Sequence, residues 1–429
     1  MESRPVSVGF SEALRVWLKI GCLGFGGPAG QIAMMHRILV DERKWVDEAR
    51  FLHALNFCML LPGPEAQKLA TYVGWLLHGT RGGLAAGILF VVPGALVMLG
   101  VSLLYVLGQG IPMVEGALFG IKAAVLVIVV EALLRIGRRA LKTRLLVGLA
   151  GLAFIGIFFL DLPFPLIVAA AAAIGFFTTA RGTGGPADAM SGRWGQFARA
   201  TAVGLGLWFA PVALVVLALG TGHVLFDIAA FFSKLAVVSF GGAYALLAYM
   251  AQEAVESYRW MSAPEMVDGL GLAETLPGPL IKVTQFVGFL AAYRDAAPFS
   301  DVAAGVLGAA LTTWVTFVPP MMLIFAGAPF IEQLRSNQRL SGALAAITAA
   351  VVGVILNLTI WFALHVLFAR VEEVRAGPLR WYALDTATFD WRAAALALVA
   401  AILMLRLHRG LVETVAGMAL LGILIRFIF

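Results

Sequence analysis

The chain has 429 residues, of which 61% are hydrophobic and only 13% charged, with a mean hydropathy of +0.92. Soluble proteins carry about 25% charged residues, so this composition excludes an ordinary water-soluble enzyme, and it excludes a disordered chain, whose mark is low hydrophobicity and high charge. The net charge of +6 is read as the Lys and Arg of loops that orient membrane helices, so the expected partner is the lipid bilayer and not nucleic acid.

In chain order, the N-terminus carries Glu2, Arg4, Glu12 and Arg15 around short apolar pieces, which is not the pattern of a cleaved signal peptide. Residues 10–80 contain no clean apolar run of 20; shorter pieces are broken at Gly24-Phe25-Gly26-Gly27-Pro28 and at Pro62-Gly63-Pro64. Cys22 and Cys58 lie in apolar runs and are expected to be buried small hydrophobes. Trp45 follows a charged stretch and reads as an interface anchor, with Asp47 as the N-cap of the next helix. A spanning helix needs about 20 mostly apolar residues, and 83–108, 112–135, 144–160 and 164–180 qualify. Between the second and third lie Arg135, Arg138, Arg139, Lys142 and Arg144 without an acid, a cytoplasmic signature. The linker from Arg181 to Pro186, continuing through Asp188, Arg193 and Arg199, is net positive and so cytoplasmic, and helix 198–220 crosses outward.

Residues 225–293 again lack a clean run and are broken at Ser239-Phe240-Gly241-Gly242 and Pro277-Gly278-Pro279. Trp260 is the second expected interface anchor, and Ser262 with Glu265 has capping-box spacing. Spans follow at 301–326, 340–368, 393–407 and 410–428. The aromatic, charge-balanced segment Arg370–Arg392 is expected as an outer loop. This places the N-terminus in the cytoplasm and the C-terminus in the periplasm.

The chain repeats itself. At a constant shift of 215 residues Lys19 meets Lys234, Phe25-Gly26-Gly27 meets Phe240-Gly241-Gly242, Trp45 meets Trp260 and Leu61-Pro62-Gly63-Pro64 meets Leu276-Pro277-Gly278-Pro279. After one deletion Lys68 meets Lys282. The expected fold is therefore an all-α polytopic bundle of two inverted-topology repeats with broken or half helices, the inversion imposed by helix 198–220. The expected divisions are 1–180, a first repeat; 181–222, the linker and the parity-flipping helix; and 223–429, the second repeat.

Paired Gly/Pro-interrupted segments in two halves are the best sequence pointer to a transporter's substrate site. A half-helix starting at such a break offers unpaired N–H groups and the positive end of its dipole, which favours an anion. Of seven lysines, Lys19, Lys68, Lys234 and Lys282 sit beside the breaks; membrane charges are costly and rarely idle. The expected anion-binding residues are these four with Gly26, Gly27, Gln31, Gly63, Gln67, Ser239, Gly241, Gly242, Gly278 and Gln285. Glu65 and Glu274 would repel the ligand unless protonated or paired, so they are the candidates for proton coupling. No metal-ligand spacing, nucleotide loop or dinucleotide fingerprint is present, so no cofactor is expected.

At these motifs the sequence resembles the chromate ion transporter family in its long, two-repeat form, over nearly its whole length. The resemblance rests on Lys19 through Phe25-Gly26-Gly27-Pro28, Trp45, Leu61-Pro62-Gly63-Pro64 and their second-half counterparts. It implies a bacterial inner-membrane protein that exports chromate using the proton-motive force, and confers chromate resistance. The halves are not equivalent: Glu65 faces Leu280 and Pro28 faces Ala243, which puts in doubt any transfer of roles between them. Other readings stay open, namely transport of sulfate or molybdate, an integral-membrane enzyme acting on an anionic lipid, or a structural subunit. A homo-oligomer is equally open.

Overall fold

A computed structural model describes residues 8–25, 27–179, 194–240, 243–328 and 338–428. Gly26, Gly241, Gly242 and most of the linker that begins at Arg181, all singled out above, lie outside the described residues. The first half runs as α1 (Phe10–Leu23), α2 (Gly27–His36) with a π-helical continuation Arg37–Glu42, α3 (Glu48–Leu60), α4 (Glu65–Leu107), α5 (Pro112–Ala140), α6 (Arg144–Leu160) and α7 (Phe164–Thr178). Next come α8 (Trp194–Leu219), α9 (Val224–Val237), α10 (Ala243–Gln252) with a π-helical continuation Glu253–Ser257, and α11 (Ala263–Thr275). A 3-10 turn Leu280–Lys282 leads into α12 (Val283–Arg294), followed by α13 (Asp301–Gly327), α14 (Gln338–Leu367), α15 (Trp391–Ala401) and α16 (Leu411–Ile428).

Six helices among the described residues are long and apolar enough to span a membrane: α4, α5, α8, α13, α14 and α16. Their outer surfaces suit lipid; on α8, Leu214 and Leu217 are 67% and 85% exposed, a display no aqueous surface would favour. Helices α6 and α7, expected as spans, have 17 and 15 residues, and α15 has 11 before a π-helical turn. All three fall short of the roughly 20 residues a perpendicular crossing needs.

The fold is the expected all-α bundle, with one addition: the segment Arg370–Arg392, expected as an outer loop, contains an antiparallel hairpin, β1 (Val371–Ala376) and β2 (Leu379–Leu384), in register Val371 with Leu384 and Ala376 with Leu379. Gly377 takes φ +60 in the two-residue turn, where hairpin geometry calls for a positive φ.

The repeat survives at atomic detail. Lys44 and Arg259, 215 residues apart, both adopt φ +53. The Trp45 N–H donates to the Leu39 carbonyl at 2.8 Å, and the Trp260 N–H to that of Ala254 at 2.9 Å. Asp47 caps α3 by accepting from the Arg50 N–H, and Glu265 accepts from both the N–H and the hydroxyl of Ser262. Helix α4 is itself two helices, since His78 and Gly79 leave helical geometry; it corresponds to α12 plus α13. In both copies a glycine pair closes the fold-back. A Cβ on Gly82 would lie 2.2 Å from the Gly74 carbonyl oxygen, and one on Gly308 would lie 2.3 Å from that of Gly288. Two expectations fail locally: Cys22 is exposed, and Trp260 is buried, stacked on Tyr258 with ring centroids 4.3 Å apart.

The chain forms two compact units, each drawing on both sequence halves. One comprises Met1–Gly100, Arg181–Ala243 and Leu276–Gln338; the other comprises Val101–Ala180, Tyr244–Thr275 and Arg339–Phe429. In the first, α13 packs against α8, α9 and α12; in the second, α5 packs against α11, α15 and α16.

Candidate functional site

The interruptions of both repeats come together in the first unit. Proline removes a backbone donor and fixes φ, so a chain reaching Pro62-Gly63-Pro64 or Pro277-Gly278-Pro279 must leave its helix. Gly63 and Gly278 turn it with φ +105 and +93, values a Cβ would strain. The Gly278 N–H donates to the Gly24 carbonyl at 2.9 Å, and the Gly63 N–H to the Ser239 carbonyl at 3.0 Å. Because 24 and 239, like 63 and 278, differ by 215, these bonds are mates. Each Pro-Gly-Pro turn is sewn to the other repeat's glycine break, the reciprocal pattern of an isologous contact.

Between the turns is a small cleft lined by Pro28, Gln31, Pro64, Glu65, Ala66, Pro279, Leu280 and Ile281. These are the opening residues of three helical segments: α2, α4 and the 3-10 turn into α12. First-turn N–H groups have no acceptor within their own helix, and Pro279 supplies no side-chain cap. The starts of three helical segments therefore border one small space, where their dipoles would favour an anion.

Lys68 and Lys282 are each 1% exposed. Lys68 donates to the Leu61 carbonyl, and Lys282 donates to the Leu276 carbonyl at 2.9 Å and the Gly278 carbonyl at 3.3 Å. The matched ammonium groups thus stand behind the Pro-Gly-Pro turns, one or two residues past the lining residues Ala66 and Ile281. Lys19 and Lys234 differ: both are exposed and do not join the buried pair. The reason is helical periodicity, since the buried stripe of α1 runs through Val16, Trp17 and Ile20 and leaves Lys19 on the opposite face.

The amides act mainly as braces. Gln31 donates to the carbonyls of Gly24 at 3.1 Å and Gly278 at 2.6 Å, Gln67 to that of Phe317 at 3.0 Å and Gln285 to that of Ala95 at 2.9 Å. Their side-chain oxygens are buried without a hydrogen-bond partner. Ser239 bonds back to the Ala236 carbonyl at 2.7 Å, and Gly27 opens α2 at φ +67. Of the two carboxylates, Glu65 is on the cleft wall, whereas Glu274 is buried at the end of α11 in the second unit.

Sequence reasoning overlooked a buried polar group elsewhere: Lys122, Asp268 and Tyr105, all in the second unit. The available signal was Lys122 itself, a charge inside the predicted span 112–135. It drew no notice because it stands apart from the breaks.

These features define a polytopic helical membrane protein whose two repeats meet at a cleft of interrupted helices, a construction typical of secondary transporters. The chain belongs to the chromate transporter family: the family model described as Chromate transporter matches residues 11–176 and 226–423, one block for each repeat. It is 34% identical over 384 residues to a chromate transport protein of Pseudomonas aeruginosa, covering 88% of this chain and 86% of that one. A chromate transport protein of Cupriavidus metallidurans is 26% identical over 80% of each chain. A probable chromate transport protein of Synechococcus elongatus is 26% identical over 80% of this chain and 82% of its own. No solved structure matches.

Proposed function

We propose that this protein is a secondary transporter that carries chromate, a tetrahedral oxyanion, out of the cytoplasm across the bacterial inner membrane and so confers chromate resistance. The observation that carries this reading is the cleft bordered by the starts of three helical segments, backed by the matched buried ammonium groups of Lys68 and Lys282. The positive loop charge between α5 and α6 supports a cytoplasmic N-terminus and, with inverted repeats, a periplasmic C-terminus.

Direction follows from charge. An inside-negative potential favours outward movement of a dianion by about 2.3 kcal/mol per charge per 100 mV, so export needs no nucleotide. In this scheme the anion enters the cleft from the cytoplasmic side, is held by the helix ends and the field of the lysines, and leaves as the repeats rearrange around it. Glu65 opposes a dianion while ionised and admits it once protonated, which ties anion entry to a proton; Glu274 is the second carboxylate beside a break.

The test is uptake of radiolabelled chromate into inside-out vesicles, with sulfate and molybdate as competitors. Saturable uptake that Lys68→Met lowers without loss of protein in the membrane supports the reading. No chromate uptake, or uptake displaced more readily by sulfate than by chromate itself, overturns it.

A further inference from the structure

Away from the cleft, in the second unit, is a buried group of three polar side chains for which the anion site has no use. Lys122 projects from the eleventh residue of the 29-residue α5, well inside a helix that spans the membrane by length and composition. Its Nζ is 3.0 Å from Asp268 Oδ1, and the Tyr105 hydroxyl donates to Asp268 Oδ2 at 2.9 Å. The Asp268 side chain is 6% exposed, while that of Lys122 is 24% exposed. An ionisable residue inside a membrane segment is expensive and is a functional site by default. As a mere staple the pair is a poor choice, since apolar residues of similar volume often stabilise such a position as well or better.

The two carboxylate oxygens are treated differently. Oδ2 accepts a directed hydrogen bond from Tyr105, whereas Oδ1 has the ion contact alone and no aligned hydrogen bond. Oδ1 is therefore held by charge and not by a directed hydrogen bond, so its contact with the partly exposed Lys122 is the one that a proton on the carboxylate would abolish. On protonation Asp268 becomes neutral and the mostly buried Lys122 loses its counter-charge. That state is strongly disfavoured in the same packing, so proton binding must be accompanied by rearrangement around α5 and α11.

Among the described residues, neighbouring charges on these helices are paired elsewhere. On α11, Glu265 is engaged by Ser262, and Glu274 is six residues beyond Asp268, at the helix end; on α5 and α16, Glu115 and Arg426 pair with each other at 2.8 Å. Glu413 of α16 is paired with Arg409.

We infer that Asp268, positioned by Lys122 and Tyr105, is a proton-binding site that couples the pH gradient to the transport cycle. This rests on the transporter reading above, and Asp268 is a proton site distinct from Glu65 on the cleft wall.

The experiment measures, in inside-out vesicles, both the chromate uptake driven by an imposed pH gradient and the gradient-free exchange of labelled for unlabelled chromate. Asp268→Asn is expected to lose the pH-driven component by about tenfold or more while exchange persists, and Asp268→Glu is expected to retain both. Tyr105→Phe is expected to shift the pH of half-maximal stimulation, which a packing role would leave in place. If Asp268→Asn does not accumulate in the membrane, the neutral pair Asp268→Asn with Lys122→Gln replaces it and is expected to exchange without coupling. Retained pH-driven uptake in either variant overturns the inference and returns the role to Glu65. A wild-type protein that exchanges chromate but ignores the pH gradient overturns this inference alone, whereas absence of any chromate movement overturns the transporter reading itself.

Discussion

Gly63 and Gly278 shape the turns at the cleft with left-handed φ, and in the proposed function the buried Lys68 and Lys282 supply its charge. A dianion within about 8 Å of an ammonium gains about 4 kcal/mol at an effective dielectric of about 20. Replacing Lys68 or Lys282 by Met should therefore weaken chromate transport by at least about tenfold, the equivalent of about 1.4 kcal/mol, as read from initial uptake rates. Lys19→Gln and Lys234→Gln should have smaller effects, since both side chains are exposed. At Gly63 an added Cβ would lie 2.4 Å from Pro320 Cγ in a backbone already at φ +105. Gly63→Ala should cost about 2–5 kcal/mol, the sum of left-handed strain and overpacking, measurable as a lowered melting temperature in detergent.

At the scale of the element, the β1–β2 hairpin is secured by one buried cation. Arg380 is 2% exposed. It contacts Asp161 at 2.8 Å and Glu256 at 3.2 Å, and donates to the Ile157 and Phe158 carbonyls at 2.7 and 3.3 Å. Removing one partner of such a buried network leaves the others unpaired and costs about 3–5 kcal/mol, so Arg380→Ala should expose the hairpin to limited proteolysis. Lys should not replace it, because the guanidinium fork serves several acceptors at once.

The same cluster carries a pH dependence. Burial pushes the Glu256 carboxyl up to about 7 against the opposing pull of Arg380, with Glu373 and Asp161 adding to the rise. A carboxyl raised above its unfolded value of 4.5 contributes stability that is fully present below that value and is lost as pH rises through about 7. The melting temperature should accordingly fall between pH 5 and pH 8 by more in the wild type than in Glu256→Gln.

For the whole molecule, potential and proton gradient should act separately. Collapsing the membrane potential in vesicles should remove the drive worth about 2.3 kcal/mol per charge per 100 mV, whatever becomes of proton coupling. Chromate uptake that is indifferent to the potential would mean that the transported unit is electroneutral.

Membrane class, the repeat and the breaks were all written in local patterns. Continuous apolar runs gave the long helices; the 215-residue shift picked out Gly63 and Gly278 and, after one deletion, Lys68 and Lys282, because Pro, Gly and Lys at membrane depth are rare and each has a local conformational or electrostatic cost. Asp47 and Ser262 could be read as caps for the same reason: a cap acts within one turn of its own residue.

What depends on distant partners had to await the fold. No spacing reveals that the Gly278 N–H finds the Gly24 carbonyl, that Lys19 faces outward while Lys68 is sealed, or that Asp268 meets Lys122. Nor does alternation within Val371–Leu384 show that Arg380 turns inward, since a charge is buried only where other segments bring acceptors to it. Sequence determines where the backbone must break and where charge is carried along the chain. Tertiary structure decides which breaks face one another and which charges lose their water, because those energies exist only between groups that folding brings together.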